Sequence, residues 1–600
     1  MDLYFNNTKL SVMNIIPSTT INDLKTTLSN WLHGQGIMSY TIELVFNDGS
    51  KINPIVFSTK DYDAVNFQQH ARQLQGGAIL INQTVTTQPE PSIPVLYERQ
   101  MPHLNRLVDI LKEWHVYMDT SPMGAGKTYV TCAIAKAFNL TLSVIAPLTL
   151  LPKWKQIAGL FKLNTAEFGT YDSIRGTKIY QPESKYITRF GDDFEITEHF
   201  SKLIRPDPTT NSNGLLLVFD EVHKLKNNSS QSRAAHTLVR RLIESNRTGF
   251  SNSRVGLIGA TPADKQKHAD SIAKLLGLTL QEKLYSWDPG NKKYDMYGLE
   301  DVYHWCSDKN PDLAREIYNV QLTKLNIGEV IFRLVTEIAI PNLASSMPAA
   351  PLGNYYNGFF TLSPTDQQRL KAAVNQLKMA VVRGVVEILP EEEDEEDEEE
   401  QGKLNIADQG LGKMTLALRM IESIKVPTVV RLARSVLDQN PNSKVVLYFN
   451  YTKGMKSAFD ALQNYNPLML SGKITPKQRV INIDLFQQNS NNHRVMIANP
   501  YVADVGIDLD DKYGNHPRTM FVIPDYRFIP LYQASGRINR ADSKSVGTVF
   551  FVYGKSDEGV TETKIFDSLA RKSFVAQQYT VATEIPPFPG EFQNYYEPDL

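Results

Sequence analysis

The sequence predicts an α/β protein: two parallel-sheet domains with a cleft between them, a small α+β domain in front, and a helical segment with an acidic run separating the two. Three observations carry this. Short apolar runs rich in Val, Ile and Leu alternate with helical patterns over about 95–280 and again over 411–580, as strands buried on both faces of a parallel sheet do. The alternation stops between the two blocks. A glycine-rich turn lies between a strand and a helix in the first block, where open α/β sheets bind ligands.

Residues 1–90 form the first unit. LYFNN and LSVMNII read as strands, and PSTTINDLKTTLSNWL reads as a helix with Ile21, Leu24, Leu28 and Leu32 on one face. TIELVFNDGSKI is a further strand, closing on the turn Asn47-Asp48-Gly49. The order strand, strand, helix, strand resembles a β-grasp domain. TTQPEPSIP reads as a linker. Residues 91–280 make the first α/β domain, with SVIAP, GLLLVFDE and RVGLIGAT as strands. Residues 281–410 are expected to be a helical insertion ending in a disordered acidic loop, Glu391–Glu400, EEEDEEDEEE. Residues 411–580 make the second α/β domain on KVVLYFNY, RVMIANP, RTMFVIP and GTVFFVYG, and 581–600 an extended tail.

Composition narrows the function classes. With 42% hydrophobic and 21% charged residues the 600-residue chain is an ordinary soluble type. No apolar run reaches the length of a membrane span, and MDLYFNNTKLSV carries no secretory pattern. Cys132 and Cys306 alone exclude a disulfide framework and a four-cysteine zinc site, and favour a reducing, intracellular compartment, cytoplasm or nucleus. The net charge of -2 hides an asymmetry: setting aside the acidic block leaves 55 acidic against 63 basic residues, a net of +8. A nucleic-acid surface would then be a local groove.

Three constellations carry chemistry. Ser121, Pro122, Met123, Gly124, Ala125, Gly126, Lys127 and Thr128 (SPMGAGKT) follow the strand HVYMD and precede an apolar helix. Glycines let backbone N–H groups converge on a phosphate, Lys127 would reach the β- and γ-phosphates, and Thr128 would hold Mg²⁺. The usual first glycine of this pattern is Ser121 here. LLLVFDEVH delivers Asp220 and Glu221 at the end of a buried strand: Asp220 for Mg²⁺, Glu221 to orient and deprotonate the attacking water. In LYQASGRINRADS, Gln533, Arg537 and Arg540 are spaced to share a helix face. The two arginines would stabilise charge on the γ-phosphate.

Together these residues resemble superfamily 2 helicases, and within them the Swi/Snf-type DNA translocases, over roughly 95–580 apart from 281–410. YERQ (97–100) looks like the upstream glutamine motif, making Gln100 the adenine candidate. SPMGAGKT looks like motif I, VIAPLTLLPKW (144–154) like motif Ia and GTYDSI (169–174) like motif Ib. DEVHKLKNNSS (220–230) matches motif II with the Lys226-Asn227 extension of the Swi/Snf group, and GATPAD (259–264) stands at motif III. VVLYFNY (445–451) resembles motif IV, and LSGKITPKQR (470–479) with LFQQ (485–488) resembles the stretch after it. ANPYVADVGIDLDD (498–511) looks like motif V, QASGRINRADS (533–543) like motif VI, and TETKIFDSLARK (561–572) like the helix after it. Asp504 departs from the glycine often found in motif V, which leaves Gly506 and Asp508. A similar layout occurs in ATPases of large DNA viruses, for which the virion is a further location.

The resemblance implies two RecA-like domains with ATP and Mg²⁺ in the cleft, Asp508 among the ATP contacts, and nucleic acid in a groove across both. Lys153, Trp154, Thr170, Tyr171 and Arg479 are the groove candidates, although core packing is the stronger reading of Trp154. Phosphate contacts there would position a strand without reading its sequence. Thr261, His223 and Gly506 would couple groove to ATP site. DNA is favoured over RNA as the partner; no membrane is expected, and protein partners would meet residues 1–90 or the acidic loop. The alternatives are an RNA helicase, or a catalytically weak scaffold in a nucleoprotein complex. Intact Lys127, Asp220, Glu221, Arg537 and Arg540 speak against the scaffold.

Overall fold

The computed structural model describes four strands within 1–93, then 94–175, 184–190, 193–209, 212–249, 251–288, 293–323, 326–348, 353–382, 406–500, 507–540, 543–556, 559–560 and 562–582. The acidic block, Gly506, the expected N-terminal helix and nearly all of the expected tail lie outside these residues.

Met1–Ser92 is a compact unit of its own. Its strands β1 (Asp2–Phe5), β2 (Thr8–Val12), β3 (Thr41–Val45) and β4 (Ala78–Asn82) form one sheet in the order β2-β1-β4-β3. β1 and β4 are parallel, while β2 and β3 run antiparallel to their neighbours.

The second unit, Ile93–Leu600, holds two larger sheets. In chain order come β5 (Val116–Asp119), β6 (Thr141–Ile145), β7 (Thr165–Gly169), a small hairpin of β8 (Ile187–Phe190) and β9 (Asp193–Ile196), β10 (Leu215–Asp220) and β11 (Arg254–Ile258). A second hairpin, β12 (Ser286–Asp288) and β13 (Lys293–Asp295), precedes the two-residue strand β14 (Ala344–Ser345). The first sheet runs β14-β5-β11-β10-β6-β7, parallel throughout. Every residue of β5 and β10 is buried, which is why their sequences read as unbroken apolar runs.

The second sheet is built from β15 (Asn354–Thr361), β16 (Lys444–Tyr448), β17 (Leu468–Leu470), β18 (Val495–Ala498), β19 (Arg518–Val522) and β20 (Thr548–Ser556), with β21 (Gly559–Val560) on its edge. Its order is β15-β20-β19-β16-β18-β17, all parallel, and β21 pairs antiparallel to β20. Alternate residues face two cores. Val446, Tyr448, Met496 and Met520 point into one, Val445, Leu447, Val495 and Phe521 into the other. These are the two RecA-like sheets.

The segment 281–410 is not one insertion. Helices Tyr297–Lys309, Pro311–Tyr318 and Ile327–Arg333 bury Leu299, Val302, Ala314, Ile317, Val330 and Ile331 in the first domain's core, and β14 extends its sheet. β15 opens the second sheet, and the helices Pro364–Val382 and Ile406–Gln439 give Leu370, Leu377, Met414 and Ile421 to the second domain's core. The chain therefore changes domain between Ser345 and Asn354. Later it returns: Thr563–Gln578 packs Ile565, Phe566 and Leu569 in the second core, while Tyr579 is fully buried in the first. The Tyr579 hydroxyl donates to the carbonyls of Lys265 (3.0 Å) and Gln266 (3.2 Å). No helix among the described residues is long and apolar enough to cross a membrane.

Candidate nucleotide site

The turn between β5 and the helix Lys127–Ala137 is a cradle of backbone N–H groups. Gly124 (φ 75°) and Gly126 (φ 98°) are left-handed, a conformation that costs little only for glycine. A Cβ on Gly126 would also lie 2.3 Å from the Gln100 side-chain nitrogen. Buried Gln100 clamps this turn: its Nε2 donates to the Ala125 carbonyl (3.1 Å) and its Oε1 accepts from the Tyr97 N–H (2.9 Å). Lys127 Nζ donates to the carbonyls of Ser121 (2.8 Å) and Pro122 (3.1 Å), closing the turn on itself. Burial holds this ammonium below its usual range, against the pull of Asp119, Glu221 and Asp220. Thr128 stands half-buried in the first helical turn.

β10 brings the two carboxylates beside the cradle. Trp154 Nε1 donates to Asp220 Oδ2 (2.7 Å), the Glu221 N–H donates to Oδ1 (3.1 Å), and the Tyr171 hydroxyl donates to the Asp220 carbonyl (2.6 Å). Burial and the adjacent Glu221 charge push Asp220 up to about 7. Burial would raise Glu221 too, but His223, Lys127 and Arg537 outweigh it and bring it down to about 2. Glu221 is one of four described non-glycine residues at positive φ (61°). Such strain persists where surrounding structure fixes it, commonly at functional sites. His223 Nδ1 lies 3.4 Å from Glu221 Oε2.

The second domain reaches this site directly. Gln533 Nε2 donates to Glu221 Oε2 at 2.9 Å, a bond across the domain boundary. A Cβ on Gly536 would sit 2.4 Å from Met123 Cε, so this part of the second domain lies against the cradle. The expected single helix face for Gln533, Arg537 and Arg540 does not form. The helix Phe528–Ser535 ends at Ser535, and Gly536–Ile538 is a 3₁₀ turn. The two arginines meet instead on one carbonyl, Ile507, at 3.3 and 3.2 Å. Arg540 Nε also pairs with Asp508 at 2.8 Å. A carboxylate there neutralises an arginine, so in this structure Asp508 is the partner of Arg540.

The groove candidates divide. Lys153 is exposed, and its charge reaches Asp508 in the other domain, helping Arg540 hold that carboxyl below its usual range against burial. Thr170 caps the short helix Tyr171–Ile174 by accepting from the Ser173 N–H (3.2 Å). Tyr171 is a correction: its ring is buried and its hydroxyl is fixed on Asp220, so it offers nothing to a groove. Trp154, 1% exposed, is likewise core. Arg479 donates to the carbonyls of Ile474 (2.9 Å) and Gly472 (3.0 Å) beside its own helix. Thr261 is buried, and its hydroxyl has no hydrogen-bond partner among the described residues.

The donor set fits Mg-nucleotide. Mg²⁺ is held by one or two protein oxygens with phosphate and water supplying the rest, and Asp220 and Thr128 are such oxygens. Among the described residues no group of three or more His, Cys, Asp or Glu could hold a metal on its own.

No protein-family model matches the chain. It is 24% identical over 473 residues to the Acanthamoeba polyphaga mimivirus protein named "Putative ATP-dependent RNA helicase L364", covering 77% of this chain and 79% of that one. The chain is thus similar to a helicase-type ATPase over most of its length. Among solved structures it is similar to the SWI2/SNF2 ATPase core of Sulfolobus solfataricus in complex with dsDNA, at 14% identity and a TM-score of 0.27, covering 78% of this chain and 90% of that one.

Sequence reasoning missed several members of this site. Trp154 was legible as a motif residue but not as the donor to Asp220. Lys226 Nζ pairs with Asp264 at 3.1 Å, both buried, joining motif II to motif III. His268 Nδ1 lies 3.4 Å from the same carboxylate. His103 and Asp119, buried and 3.1 Å apart beneath the cradle, gave no sequence signal.

Proposed function

We propose that the protein is an ATP-driven motor on nucleic acid, with duplex DNA as its track. The observation that carries this reading is the bond from Gln533 to Glu221. The residue expected to orient the attacking water is held by the opposite domain, so the hydrolytic geometry depends on how the two domains meet.

In this reading Lys127 and backbone N–H groups of 123–128 take the phosphates, and Asp220 and Thr128 hold Mg²⁺, which when bound neutralises phosphate charge. Glu221, kept ionised, accepts a hydrogen bond from the attacking water; positioning outweighs basicity in phosphoryl transfer. Arg537 and Arg540 leave the Ile507 carbonyl and Asp508 to meet the γ-phosphate as the domains close. Lys153 beside Asp508 places a cation of motif Ia at the domain boundary, where a strand crossing both domains would be gripped. A ligand that prefers the closed arrangement raises its population, so nucleic acid accelerates hydrolysis. The Swi/Snf-type motifs favour duplex DNA.

The test is steady-state ATP hydrolysis by wild type and Glu221→Gln, each with no nucleic acid, duplex DNA, single-stranded DNA and RNA. Strong stimulation by duplex DNA, lost in Glu221→Gln, is expected. Stimulation by RNA alone would replace the track, and flat rates throughout would overturn the motor.

A further inference from the structure

We propose that His103 is a positioning residue for the nucleotide cradle, acting through Asp119 and Ser121 and fastening the cradle to the connection between the two domains. This rests on the reading of 121–128 as a phosphate cradle.

Ser121 stands where this phosphate-binding pattern usually has glycine, so its hydroxyl is not something the pattern itself requires. The side chain is fully buried, and its Oγ accepts from the Met347 N–H at 2.8 Å. The Ser121 N–H donates to Asp119 Oδ1 (2.9 Å), and Asp119 Oδ2 lies 3.1 Å from His103 Nε2. His103 Nδ1 lies 2.8 Å from Ser345 Oγ. His103, Asp119, Ser121 and Ser345 are each less than a tenth exposed. β14 adds the backbone: Ser345 stands opposite Asp119, and its carbonyl accepts from the Thr120 N–H at 3.0 Å.

Ser345 and Met347 are the last part of the first domain before the chain crosses. The far side of the crossing is equally well seated. A Cβ on Gly353 would lie 1.9 Å from the Asn539 amide nitrogen, and the Asn354 N–H donates to the Gly547 carbonyl at 3.0 Å. Asn539 is the sequence neighbour of Arg540. The connection thus joins the first residue of the cradle to the arginine segment. The six chain steps from Met347 to Gly353 can reach at most about 20 Å. An imidazole bridging Asp119 and Ser345 fixes where that tether begins. It also holds Asp119, whose charge supports the Lys127 ammonium.

The experiment measures affinity for a fluorescent ATP analogue and the ATP dependence of hydrolysis for the full chain. The variants are Ser345→Ala, His103→Leu, His103→Gln, the pair Ser345→Ala with His103→Leu, and Lys127→Ala as the reference. A hydrogen bond of ordinary strength predicts that Ser345→Ala weakens analogue binding and raises KM by roughly three- to tenfold, with kcat at saturating ATP within about twofold. His103→Leu does more, and His103→Gln, which keeps a donor toward Asp119, recovers part of the loss. The double variant is no worse than His103→Leu alone, because both act through one chain. Unchanged affinity and KM in folded Ser345→Ala and His103→Leu, or losses that simply multiply in the double variant, overturn the proposal. If His103→Leu does not fold, Ser345→Ala decides. If Lys127→Ala binds and hydrolyses like wild type, the cradle reading fails instead.

Discussion

Replacing Trp154 by Phe removes the indole N–H that donates to Asp220 Oδ2 at 2.7 Å and keeps most of the ring. A hydrogen bond to a charged acceptor contributes about 1.5–3 kcal/mol, and one pKa unit corresponds to about 1.4 kcal/mol. The Asp220 carboxyl, already pushed up to about 7 by burial and Glu221, should therefore rise by a further one to two units, roughly. A proton on Asp220 competes with Mg²⁺. At pH 7 the variant should need on the order of tenfold more Mg²⁺ for half-maximal ATP hydrolysis. The gap should narrow as pH rises past the variant's own pKa, where both proteins carry the carboxylate. Mg²⁺ titrations of ATPase rate at several pH values read this directly. The small cavity left by the smaller ring lowers thermal stability at every pH alike, so denaturation curves separate the two effects. A folded Trp154→Phe with an unchanged Mg²⁺ requirement at pH 7 would refute the role given to this bond.

Other perturbations test the same geometry. Gly126→Ala should lower ATP affinity at least tenfold, roughly, because its Cβ meets Gln100 at 2.3 Å and its φ is 98°; equilibrium binding of a labelled nucleotide checks it. Lys226→Met takes from the buried Asp264 its nearest cation, leaving His268 and the charge of Lys572, and should cost up to about 3–5 kcal/mol; chemical denaturation should show much of this recovered when Asp264→Leu is added. Glu422, buried and accepting from the N–H groups of Asn450 (2.6 Å) and Tyr451 (3.1 Å), is pushed by burial from 4.5 up to about 8. Because its folded pKa is the higher, the unfolded chain releases this proton first, and the group's contribution to stability falls as pH rises from about 4.5 to about 8. Melting curves of Glu422→Gln should be less pH-dependent than wild type across that window, and parallel curves would contradict the assignment.

Much of the α/β plan was written in local pattern. β10 and β16 are legible because a strand buried on both faces has no polar alternation to blur it. The cradle is legible because two glycines, a lysine and a threonine meet a local requirement. Relations between distant segments were not legible. β14 is two residues long, too short to leave a periodic signal, yet it decides that 281–348 completes the first domain. The pairing of Arg537 and Arg540 was anticipated, but for the wrong reason. Spacing suggested a helix face, whereas Gly536 opens a 3₁₀ turn and the Ile507 carbonyl gathers both guanidinium groups. Trp154 was expected in the core and lies there, whereas Tyr171 looked available in a motif and proved buried, because an aromatic side chain with a polar atom suits a core that must also satisfy Asp220.

The seat of Tyr579 bears on how the chain is made. Its ring fills the first domain's core beside Phe332, 5.6 Å between centroids, although 234 residues (579 minus 345) separate it from β14, the last strand of that domain's sheet. During synthesis the first domain's strands leave the ribosome long before that side chain exists. Until residue 579 emerges, the hollow it will fill stays open beside Lys265 and Gln266, exposing apolar surface on the nascent chain. The first of the two large domains is thus among the last to finish packing, and a chaperone that shields apolar surface has a long opportunity there.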